Sequence, residues 1–151
     1  MAFDGADAAY TLLPIDPRWP DYHASVNRLG ESIVRAVRDS GVRHVVALSS
    51  VGADLESGTG FIADLHVHEQ RLRGLAGTDL LILRPGSFFD NFYAMLDLIR
   101  HEGVIADSVA PDVRLPMIAV RDIAEVAATA LRARDWTGVI VRELLGERDL
   151  S

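Results

Sequence analysis

Short apolar runs that alternate with a long helical pattern restrict the fold of this chain more than any other feature. Residues 8–13 (AAYTLL) and 42–50, which include VVALSS, each indicate a buried strand of a parallel sheet. Between them, apolar residues recur at steps of three and four over residues 21–40, which predicts an amphipathic helix ended by Gly41 in a left-handed cap. A strand, a helix and a strand in this order form a right-handed βαβ unit.

The same alternation continues along the chain. Spaced leucines and an isoleucine over residues 62–75 predict a second helix that ends near residues 74–77. Residues 79–84 (DLLILR) predict a third buried strand. Residues 88–100, which are rich in aromatic side chains, predict another helix, while residues 103–116 contain acids and prolines and are expected to be irregular.

The last part of the chain adds one helix and one strand. Asp122 is the expected N-cap of that helix, and residues 138–145 (GVIVRELL) predict the final strand. The whole order predicts one domain over residues 1–151, an α/β fold of three layers around a mainly parallel sheet. The apolar stripe of the last helix consists of Ile123, Val126, Ala127, Ala130 and Leu131.

Composition and charge exclude several kinds of protein. The chain has no cysteine, so it holds no disulfide, thiolate metal site or cysteine nucleophile. Its 22 acidic and 15 basic side chains give a formal net charge of -7 without a strongly basic stretch, which argues against nucleic acid or an anionic membrane as a partner. No apolar run approaches the roughly 18 residues of a membrane span. Residues 1–10 lack the bases of a signal peptide, so we expect a cytoplasmic protein.

Three runs of sequence resemble the NmrA-like atypical short-chain dehydrogenase/reductases, in their quinone-reductase-like branch. Residues 44–53 (HVVALSSVGA) are similar to the fifth strand of that family, and residues 80–92 (LLILRPGSFFDNF) to its sixth strand and following helix. Residues 115–131 (LPMIAVRDIAEVAATAL) are similar to its late segment, with Asp-Ile-Ala at a helix start. The runs follow the family's order and together cover nearly the whole chain. The resemblance implies a Rossmann-type domain and an oxidoreductase that uses NAD(P)H.

The part of this family that holds the cofactor's pyrophosphate has no counterpart in the sequence. The family opens with a strand, a glycine-rich turn and a helix, but neither G-x-x-G-x-x-G nor G-x-G-x-x-G occurs here. Residues 1–7 correspond to the segment just before the family's fourth strand, so about half of the dinucleotide-binding sheet is expected to be missing. A truncated gene product, a mis-called start codon and a naturally short domain would each explain this. We therefore expect weak NAD(P)H binding or none.

The resemblance also assigns residues to the ribose and nicotinamide end of the cofactor. Ser49 and Ser50 would bond the nicotinamide ribose or polarise a substrate, although both suit the end of a strand equally well. Arg84, Pro85 and Gly86 would line the same end, and these residues would also end the strand, with Gly86 making the turn. Phe88 and the aromatic residues after it would stack on a flat substrate or fill the core. The predicted cofactor-binding set is Leu13, Pro14, Ser49, Ser50, Pro85, Gly86, Ser87 and Phe88.

The catalytic pair of the wider family is absent. Typical members carry Tyr-x-x-x-Lys on the helix after the fifth strand, where the tyrosine supplies a proton and the lysine lowers its pKa. That helix is FIADLHVHEQRL here, over residues 61–72, so reduction of simple ketones is not expected, whereas direct hydride transfer to a quinone stays open. His66 is the candidate proton donor, and the alternative is that it lies on the solvated surface. Because His66 and His68 are two residues apart on a helix and face different ways, no shared metal site is predicted.

The sequence leaves three functions open. The first is an NAD(P)H-dependent oxidoreductase of the quinone-reductase type without its cofactor half. The second is a non-catalytic NmrA-like domain that senses a nucleotide or binds a protein, and the third is a remnant without a function of its own. In the family's strand order, the strand at residues 8–13 has one unpaired edge, so we expect a homodimer or larger assembly formed through that edge.

Overall fold

Strands and helices alternate along the computed structural model, which describes residues 2–16, 18–107 and 109–150. Within these residues the strands are β1 (Ala8–Leu12), β2 (His44–Leu48), β3 (Asp79–Pro85), β4 (Ser87–Phe88), β5 (Leu115–Ile118), β6 (Val139–Leu144) and β7 (Asp149–Leu150). The helices are α1 (Tyr22–Ser40), α2 (Ile62–Arg73), α3 (Leu96–Glu102) and α4 (Val120–Ala133), and a 3-10 turn at Phe89–Met95 precedes α3.

The main sheet contains four parallel strands in the order β1, β2, β3, β6. The two central strands, β2 and β3, are almost continuously apolar and are therefore buried on both faces. β1 pairs with β2 from Ala8 opposite His44 to Leu12 opposite Leu48. Among the described strands, β1 and β6 form the two edges of this sheet. The predicted α/β fold with a mainly parallel sheet is confirmed, as is the pairing of the first strand with the second.

Helices cover both faces of the main sheet and produce the three predicted layers. Successive strand residues point to opposite faces, so Val45 and Val46 of β2 belong to different cores. Val45 packs with Val37 of α1 and Leu72 of α2 on one face. Val46 packs on the other face with the predicted apolar stripe of α4, including Ile123.

The bounds of the first two helices agree with the predictions. α1 ends at Ser40 because Gly41 adopts a left-handed conformation, with φ at 67°, that its neighbours would adopt only with strain. α2 ends at Arg73, one residue before the range predicted for its end.

Residues 88–100 differ from the continuous helix that was predicted. Ser87 and Phe88 form the short strand β4, which pairs in parallel with Met117 and Ile118 of β5, and α3 begins only at Leu96 after a 3-10 turn. β5 in turn pairs antiparallel with β7. Irregular structure was predicted up to residue 116, but the last two of these residues belong to β5. The sequence did not indicate this strand because Pro116 lies within it, and proline is unfavourable in strands.

Two glycines hold β5 between β3 and the loop after β6. A side chain on Gly86 would collide with the backbone carbonyl oxygen of Pro116, and one on Gly146 would collide with that of Met117. Both positions therefore require glycine because of close backbone packing, which adds a reason for Gly86 beyond the turn that the sequence suggested.

The N-terminus of α4 is capped by a residue that the sequence did not indicate. Ala119 occupies the N-cap position, and the carboxylate of Asp90 accepts a hydrogen bond from the Val120 N–H at 2.9 Å. The prediction of Asp122 as N-cap was wrong. Asp122 lies inside the first turn, where its charge still interacts favourably with the helix dipole.

In the part of the chain that the structure describes, no helix combines the length and apolar character needed to cross a bilayer.

Candidate functional site

A pocket of about 350 Å³ opens at the carboxyl ends of β2 and β3, the edge where ligands bind in parallel α/β sheets. The turns that follow these two strands form its walls. Four of the eight residues predicted to bind the cofactor line it together: Ser50, Gly86, Ser87 and Phe88. The structure therefore brings half of the predicted set to one place, at the expected edge of the sheet.

The lining of this pocket is neutral. Its polar groups are the hydroxyls of Ser50 and Ser87 and the amide of Asn91, while Val51 and Ile62 contribute apolar surface. The Ser50 hydroxyl donates a hydrogen bond to the Val51 carbonyl at 3.0 Å, which leaves its oxygen lone pairs as acceptors. Such a lining suits a ring and a sugar, and it offers no cation to a pyrophosphate.

The other four residues of the predicted set lie around the pocket without lining it. Leu13 packs in a core cluster with Val26 and Leu65. Pro14 follows β1 and is exposed, whereas Pro85 is the buried last residue of β3. Ser49 is buried and points into a separate cluster of charged groups. A cofactor-binding role for any of the eight stays a prediction.

A buried ion cluster beside the pocket is the main feature that sequence reasoning missed. Glu69 of α2 is only 2% exposed and accepts a hydrogen bond from the Ser49 hydroxyl at 2.6 Å. The Arg84 guanidinium donates two further bonds, from Nε at 2.9 Å and from Nη2 at 2.7 Å. Arg73 approaches the same carboxylate at 3.5 Å. Hydrogen bonding to Glu69 raises the pKa of Arg84 above its ordinary value, so the guanidinium stays charged.

This cluster fixes the two strand ends that frame the pocket. Ser49 directly follows β2 and Arg84 lies in β3, so Glu69 ties both strands to α2. It also holds the Arg84 side chain against Glu69, and Arg84 is not among the described residues that line the pocket. The signal in the sequence was spacing, because Glu69 lies four residues after Leu65 and three before Leu72 and so shares their buried face.

The two histidines of α2 face different surroundings, as their spacing predicted. His66 Nδ1 lies 2.9 Å from the Ala53 carbonyl oxygen, to which it donates, and His66 is outside the pocket lining. His68 is buried, and desolvation together with the nearby Arg71 charge lowers its pKa to about 4. No group of three metal-ligating side chains occurs among the described residues. A catalytic role for His66 stays a prediction.

A second, apolar pocket of about 550 Å³ adjoins the first and shares Leu115 with it. Its walls include Phe89, Phe92 and Met117, and Asp107 is the one ionisable side chain among its described lining residues. Tyr93, which the sequence grouped with these aromatic residues, is 72% exposed and does not line this pocket.

The chain is similar to reductases of known activity over part of their length. Agroclavine dehydrogenase of Claviceps fusiformis is 37% identical over 97 residues, which are 62% of this chain and 32% of that protein. The (4-alkanoyl-5-oxo-2,5-dihydrofuran-3-yl)methyl phosphate reductase of Streptomyces griseus is 28% identical over 137 residues, 91% of this chain and 45% of that protein. The chain thus spans less than half the length of either relative. No protein-family model matches it.

Solved structures of cofactor-bound reductases share the fold. The triphenylmethane reductase of Citrobacter sp., complexed with NADP(H), superposes with a TM-score of 0.78 at 19% identity, over 98% of this chain and 50% of that protein. The NADPH-dependent quinone oxidoreductase of Escherichia coli, complexed with NADPH, gives 0.75 at 21% identity over 99% and 50%. These likenesses support, at the level of the fold, the resemblance to NAD(P)-dependent reductases that the sequence indicated. It covers nearly all of this chain and about half of each of these structures.

Proposed function

We propose that this chain forms the nicotinamide end of an NAD(P)H-dependent reductase that passes hydride to a flat, apolar acceptor of the quinone class. The observation that carries the proposal is the contact between two pockets of different character. A neutral pocket with hydroxyl and amide groups shares Leu115 with a larger apolar pocket that has phenylalanine walls. A hydride donor and its acceptor need adjoining sites of this kind.

The first pocket fits one end of the cofactor. NAD(P)H, when bound, supplies the hydride. Ser50, Ser87 and Asn91 would hold the ribose and the carboxamide, while Phe88 would bound the ring. The described lining offers no partner for the pyrophosphate, and the sequence contains no glycine-rich phosphate turn. A micromolar dissociation constant requires a binding free energy of about 8 kcal/mol, which is hard to reach when the pyrophosphate has no binding site. We therefore propose that this chain alone binds NAD(P)H with a dissociation constant above the micromolar range.

The second pocket fits an acceptor that needs little acid–base help. α2 holds neither tyrosine nor lysine, so the proton donor that a ketone requires is absent from the position where the family carries it. A quinone that accepts a hydride becomes a hydroquinone anion, which takes its proton from water. The phenylalanine walls would stack on such a ring.

A non-catalytic, nucleotide-sensing or protein-binding domain is the second candidate, and one observation favours it. Ser49 and Arg84, which the sequence assigned to the nicotinamide end, do not line the pocket, and both are bonded to Glu69 inside the protein. The polar groups that do line the pocket can hold a ligand, but they supply no acid or base for a reaction. This candidate predicts ligand binding without turnover.

NADPH oxidation by the purified chain tests the proposal, with a soluble benzoquinone and a small ketone as acceptors. At millimolar NADPH we expect slow turnover with the quinone and none with the ketone. Ser87→Tyr, which fills the neutral pocket from an exposed position, should abolish both turnover and calorimetric NADPH binding. Ser57→Tyr, at an exposed loop position outside the pocket, is the matched control.

Each alternative result has a distinct meaning. NADPH binding that Ser87→Tyr removes, without quinone turnover, would favour the non-catalytic domain. Micromolar NADPH affinity would contradict the weak binding that we propose. Ketone reduction abolished by His66→Ala would show that α2 supplies a proton after all.

A further inference from the structure

The neutral pocket and the apolar pocket meet at a boundary that two segments of the chain form. One segment is the 3-10 turn after β4. Such a turn has three residues per turn, so side chains three positions apart lie on the same side of it. Phe88, at its N-terminal end, and Asn91 accordingly line the neutral pocket, whereas Phe89 and Phe92 line the apolar pocket. The turn therefore runs along the boundary with one side in each pocket.

Leu115, the first residue of β5, forms the opposite side of this boundary. It is half-buried and, among the described residues, it alone lines both pockets. The next two residues of β5, Pro116 and Met117, are held by the close backbone contacts at Gly86 and Gly146. The backbone at Leu115 is therefore fixed, and its side chain is the part of this side of the boundary that a substitution can change.

Hydrogen bonds set the distance between the 3-10 turn and β5. β4 pairs in parallel with β5 just before the turn begins. Within the turn, the carboxylate of Asp90 accepts a hydrogen bond at 2.9 Å from the N–H of Val120, two residues after β5 ends. Asp90 itself lines neither pocket. The gap between the turn and β5 therefore has a fixed width, which the Leu115 side chain narrows.

We propose that Leu115 determines which acceptors the protein reduces, by limiting the width of the acceptor edge that fits between it and the 3-10 turn. This role of Leu115 rests on the proposed function, because the hydride would cross the boundary between the two pockets. Hydride transfer requires the reacting atoms to lie about 3–3.5 Å apart. The reacting edge of the acceptor must therefore enter the gap beside Leu115 while the rest of the ring stays in the apolar pocket.

The gap favours flat acceptors whose reacting edge carries no substituents. A bare quinone ring can place its edge between Leu115 and the turn, whereas methyl groups beside the quinone oxygen widen that edge and meet the leucine side chain. The apolar pocket itself, at about 550 Å³, is large enough for either kind of ring. Selection against the methyl groups would therefore come from the gap and not from the volume of the pocket.

The relative turnover of para-benzoquinone and its tetramethyl derivative, with NADPH as donor, tests the proposal. Leu115→Ala should raise kcat/KM for the tetramethyl compound at least tenfold relative to that for para-benzoquinone, because one methylene group in an apolar site changes kcat/KM by about this factor or more. Leu115→Val should shift the ratio in the same direction by a smaller factor. The ratio is compared between variants at one NADPH concentration, so changes in cofactor binding and the unequal reactivity of the two quinones cancel.

Leu150→Ala is the matched control. Leu150 lies opposite Leu115 in the pairing of β5 with β7, and it lines the apolar pocket without reaching the neutral pocket. Truncating Leu150 should leave the ratio within about twofold of the wild-type value, since it widens the pocket and not the gap. Circular dichroism reports whether each variant is folded.

The possible results separate the role of Leu115 from the proposed function. A ratio that both Leu115 variants leave unchanged, or that Leu150→Ala shifts equally, would overturn the role of Leu115, while turnover itself would still support the proposed function. No turnover of either quinone by the folded wild-type chain would overturn the proposed function and the role of Leu115 with it. A shift confined to the two Leu115 variants would support both.

Discussion

Two buried carboxylates, one at each end of the parallel strands, hold the same sheet in different ways. At the amino end, Asp79 accepts hydrogen bonds from Arg43 Nε at 2.8 Å and from the Gly138 N–H at 2.7 Å. At the carboxyl end, Glu69 accepts its bonds from Ser49 and Arg84. Asp79 thus joins the starts of the strands to one another, whereas Glu69 joins their ends to a helix.

The arginines of these two clusters differ in their access to water. The side chain of Arg43 is 68% exposed, while that of Arg84 is 12% exposed. Water screens the first ion pair and can replace a lost partner, but it does neither for the second. The pocket lies at the carboxyl end of the sheet. The geometry of that end therefore depends on an intact ion pair that is shielded from water.

Removing the charge of Glu69 should have the largest effect. Glu69→Gln removes the buried counter-charge of Arg84 and leaves it the more exposed Asp54 carboxylate at 3.8 Å, so we expect the free energy of unfolding to fall by about 3–5 kcal/mol. Urea denaturation followed by circular dichroism measures this. The double variant Glu69→Leu with Arg84→Met, which removes both charges, should recover most of the loss. A decrease below about 1 kcal/mol in the single variant would show that the cluster behaves like an exposed pair.

His68, the neighbour of Glu69 on α2, should make the protein sensitive to acid. Burial lowers its pKa from 6.5 to about 4, so between these values the unfolded chain binds a proton that the folded chain does not. Stability should therefore fall as the pH drops from about 6.5 towards 4, by up to about 3 kcal/mol. Denaturation midpoints across this range measure the slope, and His68→Gln should flatten it. A slope unchanged by that substitution would assign the effect to other groups.

Neutralising Asp79 should have a smaller effect than neutralising Glu69. Its pKa is lowered chiefly by the hydrogen bond from Arg43 and then by that from the Gly138 N–H, so it stabilises the fold above the ordinary aspartate pKa and loses that contribution in stronger acid. We expect Asp79→Asn to shift the urea midpoint less than Glu69→Gln does. Arg18→Ala, which breaks an ion pair as short as 2.7 Å by removing a side chain that is 87% exposed, supplies the baseline of no change. A larger shift for Asp79→Asn than for Glu69→Gln would reverse the comparison.

The sequence predicts elements whose signals are local. β2 and β3 could be predicted because their apolar runs are stable only when buried. α1 could be predicted because its apolar periodicity stops where Gly41 ends the helix. The cap of α4 could not be found this way, because Asp90 reaches Val120 from 30 residues earlier in the chain. β5 was hidden by Pro116, and it exists because the strands on either side of it supply the pairing.

The position of the candidate site could be predicted from the sequence, but the hydrogen bonds of its residues could not. Ser50, Gly86 and Ser87 follow strands that run in parallel, so their meeting at one edge followed from the strand order. The inward turn of Ser49 and Arg84 depends on a carboxylate buried on a different element, and a glutamate in a helix is ordinarily a surface residue.

The close approach of Gly86 and Gly146 to β5 limits how this pocket can change during evolution or in design. Because neither glycine tolerates even a methyl group, the distance between β5 and the end of β3 is set by backbone alone. Substitutions of these two glycines therefore cannot make the pocket wider or narrower where β5 meets the end of β3. Variation in ligand size must instead come from Ser87, Asn91 and Leu115, whose side chains line the pocket without holding the sheets together.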